Sequence, residues 1–128
     1  MTTFSPDPKP AARIVDPMAI RRFRHNAAPV CQLCGRTFPR HWLTVHHIVE
    51  RSVGGDDVEA NFALVCGDGT LECHGAITER RPGARHRLRK TLSEDQVAYV
   101  TAKKGEAWLD RHYPLSVVSA RSPAEEAA

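Results

Sequence analysis

Two adjacent histidines, His46 and His47, followed by Asn61 and then by the neighbours Cys73 and His74, hold the residue types in this chain best suited to chemistry. Cys31, Cys34 and Cys66 are spaced around them. Imidazole nitrogens, a side-chain amide and thiolates are the groups with which a small protein binds metal ions and activates water. The chemistry that this order suggests is hydrolysis assisted by a bound cation.

The thiols and the imidazoles divide into two sets. Cys31-x2-Cys34 sits on a turn flanked by Pro29 and Gly35, and Cys66 and Cys73 follow downstream of both histidines. The two pairs can close one tetrahedral zinc site of the structural kind. The six-residue gap between Cys66 and Cys73 is wider than a usual knuckle, so a site with His41 or His74 in place of one thiol is the competing arrangement. Two disulfides would suit an exported protein, but the N-terminus lacks the basic-then-apolar layout of a secretory signal, and zinc is the better account. For a core this small, metal binding on the order of 10 kcal/mol would supply much of the stability.

The elements that must position these groups can be read in outline. At 128 residues the chain has the length of one domain. Residues 1–12 hold three prolines and 118–128 are, after Val118, only Ser, Ala, Pro, Glu and Arg, so both ends read as loose tails around a body at 13–117. Asp16-Pro17 predicts an N-cap and a helix through about Arg24. Leu43 to Val49 reads as a strand, Gly54-Gly55-Asp56-Asp57 as a turn, and Phe62 to Val65 as a second, shorter strand. A helix is expected from near His74 to about Arg81, where Pro82-Gly83 stops it. Together these elements make up a metal core over about 29–82. Ser93 and Gln96 have the capping-box spacing, opening C-terminal helices over about 93–112, in which Trp108, Leu109 and Tyr113 form a satellite core that pins them to the metal unit.

A net charge of +3 conceals an uneven distribution, with twelve Lys/Arg against seven Asp/Glu over residues 21–90 and four against six over 91–128. Arg21, Arg22 and Arg24 precede the metal region, and Arg80, Arg81, Arg85, Arg87, Arg89 and Lys90 follow it. Basic clusters on both sides of a candidate site imply a polyanionic partner. Arg51, close after the histidine pair, could clamp a phosphate or pair with Asp56 or Asp57. No run of about 18 apolar residues is present, so no membrane is implied and a cytoplasmic location is expected.

Read in order, Cys-x2-Cys, Val-His-His-Ile-Val-Glu-Arg, Gly-Gly-Asp-Asp, Asn-Phe-Ala-Leu-Val-Cys and Cys-His resemble the HNH endonuclease family, with its ββα-metal fold, over Cys31 to His74. The downstream Gln-Val-Ala-Tyr-Val and Gly-Glu-Ala-Trp-Leu segments are similar to small HNH proteins of actinobacterial phages and prophages. The resemblance implies an α+β fold: a ββα-metal core stabilised by a four-cysteine zinc site, with flanking helices.

The same resemblance implies that His46 and His74 ligate a catalytic divalent ion and that His47 is the general base for attack on DNA. Asn61, the central residue of the motif, would hydrogen-bond across the loop and fix the His47 ring. Two departures stand out: His46 occupies a position where many members have Asp, and Thr78 one where some place a further histidine. Two imidazoles are softer than an Asp-His pair, so Mn²⁺, Ni²⁺, Co²⁺ or Zn²⁺ should bind at least as well as Mg²⁺. Neighbours in a regular strand point to opposite faces, so the chain must leave the strand near His47 if both rings are to serve one phosphate. The competing readings are a non-catalytic zinc module that binds nucleic acid and a phage packaging accessory whose C-terminal helices contact a partner. Oligomeric state is not legible in the sequence.

Overall fold

The computed structural model describes residues 12–116. The expected tails at 1–12 and 118–128 therefore lie, residue 12 apart, outside the described residues.

The first helix, α1 (Pro17–Asn26), begins where Asp16 and Pro17 direct it. The Asp16 carboxylate accepts the Ala19 N–H at 3.2 Å, and proline at N1 gives up no hydrogen bond. Strands β1 (Leu43–His47) and β2 (Phe62–Cys66) pair antiparallel, with Leu43 opposite Cys66 and His47 opposite Phe62. All five residues of β2 are buried, so this strand lies at the centre of the core with Leu43, Ile48, Val49, Ile77 and Leu88.

β1 stops two residues before the expected Val49, for a reason found in Asn61. The Val49 N–H donates to Asn61 Oδ1 at 2.7 Å, and Asn61 Nδ2 returns a bond to Val49 O at 3.0 Å. A side-chain amide thus takes over the pairing that a strand partner would have supplied, and the chain turns away after His47. Gly55 allows the loop to close, since a Cβ there would overlap the Val49 carbonyl oxygen.

Helix α2 (Glu72–Thr78) starts two residues before His74 and ends before Pro82-Gly83 is reached. The Arg80 N–H donates to Ile77 O and the Arg81 N–H to Ala76 O, a Schellman closure in which Arg80, at φ 55°, holds the left-handed position usually given to glycine. Gly83 does not end a helix but opens one, α3 (Ala84–Thr91), in a stretch that reads in sequence only as a basic cluster. Its buried face is Ala84, Arg85, His86 and Leu88. Two polar residues on the inner face hide the apolar period.

The capping box forms as expected: Ser93 Oγ accepts the Gln96 N–H and Gln96 Oε1 accepts the Ser93 N–H, opening α4 (Glu94–Lys104). The same Gln96 donates through Nε2 to Phe62 O at 2.9 Å, tying α4 to β2. Gly105 separates α4 from α5 (Glu106–His112). Leu109 and Tyr113 are buried in the core, while Trp108 is half-buried and stacks on His112 with ring centroids 4.1 Å apart. Among the described residues, two strands and five α-helices make the fold of mixed α and β character, with the ββα unit at its centre.

Candidate active site

His46, His47 and His74 wall one cavity of about 220 Å³ together with Glu50, Arg51, Thr78 and Arg85. β1 delivers the first two and the opening turn of α2 the third. The obstacle posed by alternating strand faces is met at the strand end: His47 is the last residue of β1, and the Asn61 bonds to Val49 turn the chain there. The His46 and His74 rings are 5.7 Å apart between centroids and nearly perpendicular. With metal–nitrogen bonds of about 2.0–2.1 Å, two imidazoles on one ion place their ring centres about 5–6 Å apart, so the pair fits a shared cation.

Three hydrogen bonds decide which nitrogen of each ring is bare. Thr44 Oγ1 donates its single proton to Gly67 O at 2.8 Å, so its 2.7 Å contact with His74 must be a bond accepted from Nδ1–H. His74 Nε2 is left with a lone pair. Tyr113 Oη likewise donates to Ile48 O at 2.7 Å and accepts from His46 Nε2–H at 2.9 Å, leaving His46 Nδ1 bare. His47 Nε2 lies 2.8 Å from Asp57 Oδ1, an acceptor, so His47 Nδ1 is the bare nitrogen of the third ring. The other nitrogen of each ring has its proton held by an acceptor on the protein, as metal-ligating and general-base histidines require.

The electrostatics favour neutral rings. Burial lowers the His46 pKa to about 3, with Arg85, His74 and His47 adding to the effect. Burial also lowers His47, opposed by the bond and charge of Asp57, and it lowers His74, opposed by Asp68. Asp57 stays ionised: burial would raise its pKa, but the Asp16 N–H, His47 and Arg13 outweigh that and hold it below the usual carboxylate range.

Asn61 is fully buried and acts on the loop rather than on the ring. Besides its two bonds to Val49, it donates to Asp56 O at 3.0 Å, which fixes the backbone one residue before the carboxylate that holds His47. Asp57 is thus a site residue that sequence reasoning missed, having read it as part of a turn. The available signal was an acidic pair ten residues after the histidines; its burial, at 3% exposure, was not visible. Asp56 faces the other way, accepting from the Ile14 N–H and from Tyr99 Oη with Lys103 3.0 Å away, so α4 and the segment before α1 both grip this loop. Neither carboxylate pairs with Arg51.

The four cysteine sulfurs lie within 4.8 Å of one another, and all four cysteines are free thiols. Tetrahedral metal–sulfur bonds of about 2.3 Å put sulfurs about 3.8 Å apart, so the cluster has the dimensions of a tetrathiolate site and needs neither His41 nor His74. The Cys34 N–H points at Cys31 Sγ at 3.4 Å. Burial pushes Cys66 and Cys73 up, whereas at Cys34 bonds from Arg36 and from the neighbouring thiols outweigh burial and lower the pKa to about 7.

The arginines are placed in several ways. Arg51 and Arg85 wall the histidine cavity. Arg21 is exposed on α1, Arg22 is 3.6 Å from Asp16, and Arg24 donates to Leu43 O at 2.8 Å, fastening α1 to β1. Arg80 is 3.7 Å from Glu50, and Arg81 pairs with Glu79. Arg87 and Lys90 are exposed on α3, and Arg89 joins α3 to Asp110 and to Tyr113 O.

The family model for HNH endonuclease matches residues 31–80, a span that includes the four cysteines, the three histidines and Asn61. No curated protein matches the chain.

Proposed function

We propose that the protein is a metal-dependent endonuclease that hydrolyses DNA phosphodiester bonds, with zinc in the four-cysteine site, a reading that starts from the match of residues 31–80 to the family model for HNH endonuclease. The observation that carries the reading is the set of three histidines around one cavity, each with one nitrogen bare and the other tied to an acceptor.

His46 Nδ1 and His74 Nε2 are the nitrogens that would hold a divalent ion, which would supply positive charge to stabilise the phosphate and the leaving oxygen. Two ligands leave room for water and substrate. His47 Nδ1 takes the proton from the attacking water, and Asp57 steadies the imidazolium that results. The water oxygen bonds to phosphorus, the bond to the 3′ oxygen breaks, and that oxygen takes a proton from solvent, giving 5′ phosphate and 3′ hydroxyl ends. Asn61 keeps the loop in register. Arg51, Arg85 and the exposed basic residues Arg21, Arg22, Arg80, Arg81, Arg87 and Lys90 contribute the backbone attraction that makes binding weakly sequence-dependent and strongly salt-dependent.

The experiment that tests this incubates the protein with supercoiled plasmid and a panel of Mg²⁺, Mn²⁺, Ni²⁺, Co²⁺ and Zn²⁺, beside His47→Ala. Metal-dependent nicking by the wild type and none by the variant is the expected result. Equal activity in both would overturn the assignment of the base, and no cleavage with any ion would leave a zinc-containing DNA-binding module in its place.

A further inference from the structure

The histidine cavity has a neighbour of about 180 Å³, and Arg85 walls both. Arg80, Arg111 and His112 line this second space, which lies largely beyond the residues matched by the family model. Arg85 is itself 7% exposed. Its Nε donates to Ile77 O at 3.1 Å, its guanidinium lies 4.8 Å from the centre of the Tyr113 ring, and its Nη2 stands 3.5 Å from Glu50 Oε1. Nη1 is buried with no hydrogen-bond partner among the described residues.

A permanently charged, buried donor without an acceptor is an uncommon feature, because burying such a group unpaired is costly. Two sides of the guanidinium are fixed by Ile77 and Tyr113, so the fork cannot swing into solvent to satisfy itself. The nearby carboxylate is a loose substitute. Glu50 is half-exposed and sits 3.5 Å from Arg85 and 3.7 Å from Arg80, an anion resting between two cations. A phosphate matches the place held by that carboxylate better than a single distant oxygen does, since its several oxygens can take Arg85 Nη2 and the Arg80 guanidinium together.

We propose that this second cavity is the subsite for the DNA phosphate next to the scissile one on the cleaved strand, with Arg85 as its buried donor, Arg80 and Arg111 as its rim, and Glu50 yielding when DNA arrives. The identity of the strand rests on the nuclease reading; the anion site itself rests on Arg85.

The test uses the full chain with its cysteine-bound metal and no added catalytic ion. It is titrated separately with inorganic phosphate and with a short DNA duplex while the Arg85 Nε–H and the backbone N–H signals of Gly83 and His112 are followed by NMR. Both ligands should move these signals, Arg85→Lys should weaken DNA binding at least tenfold, and Arg80→Gly should weaken it about threefold. Arg80→Gly relieves a left-handed residue, so weaker binding with an unchanged or higher Tm cannot come from unfolding. The proposal is overturned if phosphate and DNA move only signals near His74, or if both variants bind DNA within twofold of wild type. Movement by phosphate but not by DNA assigns the cavity to a free phosphate and overturns the strand assignment. DNA bound here by a protein that fails to cut with every ion tried supports the subsite while removing the nuclease reading; cutting with no part played by Arg85 does the reverse.

Discussion

Tyr113 Oη and His46 Nε2 lie 2.9 Å apart across 67 residues of chain, so the residue that follows the last helix sets the tautomer of a ring on the first strand. The hydroxyl can do this because its own proton is committed to Ile48 O. The C-terminal helices therefore belong to the site as well as to the core.

Tyr113→Phe keeps the ring and removes the acceptor. His46 then loses the bond that holds its proton on Nε2, and Ile48 O loses a buried donor. Isothermal titration of the zinc-loaded protein with Mn²⁺ should give an affinity lower by about 10- to 100-fold, and urea unfolding a stability lower by about 1–3 kcal/mol. Unchanged Mn²⁺ affinity would show that the hydroxyl does not position His46.

Asp57→Asn addresses the base. Loss of the carboxylate frees the His47 ring to adopt the other tautomer, and plasmid cleavage should fall by about 10²- to 10⁴-fold, as it does where a histidine base loses its orienting carboxylate. The content of cysteine-bound zinc, read by a colorimetric chelator, should not change. A rate within threefold of wild type would remove Asp57 from the mechanism.

The pH profile has a sign fixed by the same pair. Burial lowers the His47 pKa, so Nδ1 remains bare to a lower pH than in a free histidine, and cleavage should decline only below about pH 6.5. Asp57 raises this pKa, so Asp57→Asn should move the acid limb further down while depressing the plateau. An acid limb that moves upward in the variant would contradict the pairing.

His46 makes stability depend on pH. Its folded pKa is lowered to about 3 from an unfolded value of about 6.5, so between these limits the unfolded chain binds more protons and the fold weakens as pH falls. From pH 6.5 to 5 the loss should be on the order of 2 kcal/mol. It is measured as the difference in urea stability between wild type and His46→Asn, each with one equivalent of zinc, so that the acid sensitivity of the thiolates cancels. Parallel curves for the two proteins would show that His46 is not buried as a neutral ring.

Asn61→Ala leaves the Val49 N–H, Val49 O and Asp56 O without the partners they have in the buried loop. Each lost partner costs about 1–3 kcal/mol, so the variant should be among the least stable single substitutions in the core, with a Tm lowered by well over 5 °C. A Tm within 2 °C of wild type would mean that the loop is held by other contacts.

Much of the site was legible in the residues alone. Two imidazoles in tandem, an amide and a Cys-His pair suggest a chemistry by type and order, whereas the spacing of the thiols left His41 or His74 open as a replacement for one of them, and the clustering of all four sulfurs came from the fold. Local helix signals were equally readable where they act within four residues, as in Asp16-Pro17 and in Ser93 with Gln96, because capping depends on the immediate chain. The α3 helix was hidden, since burial of Arg85 and His86 breaks the apolar period by which a helix face is recognised. What only the tertiary structure decided is which nitrogen of each ring is tied to an acceptor and which is left bare. That depends on Thr44, Asp57 and Tyr113, acceptors brought together from separate elements, and a hydrogen bond between residues 67 apart leaves no trace in local sequence.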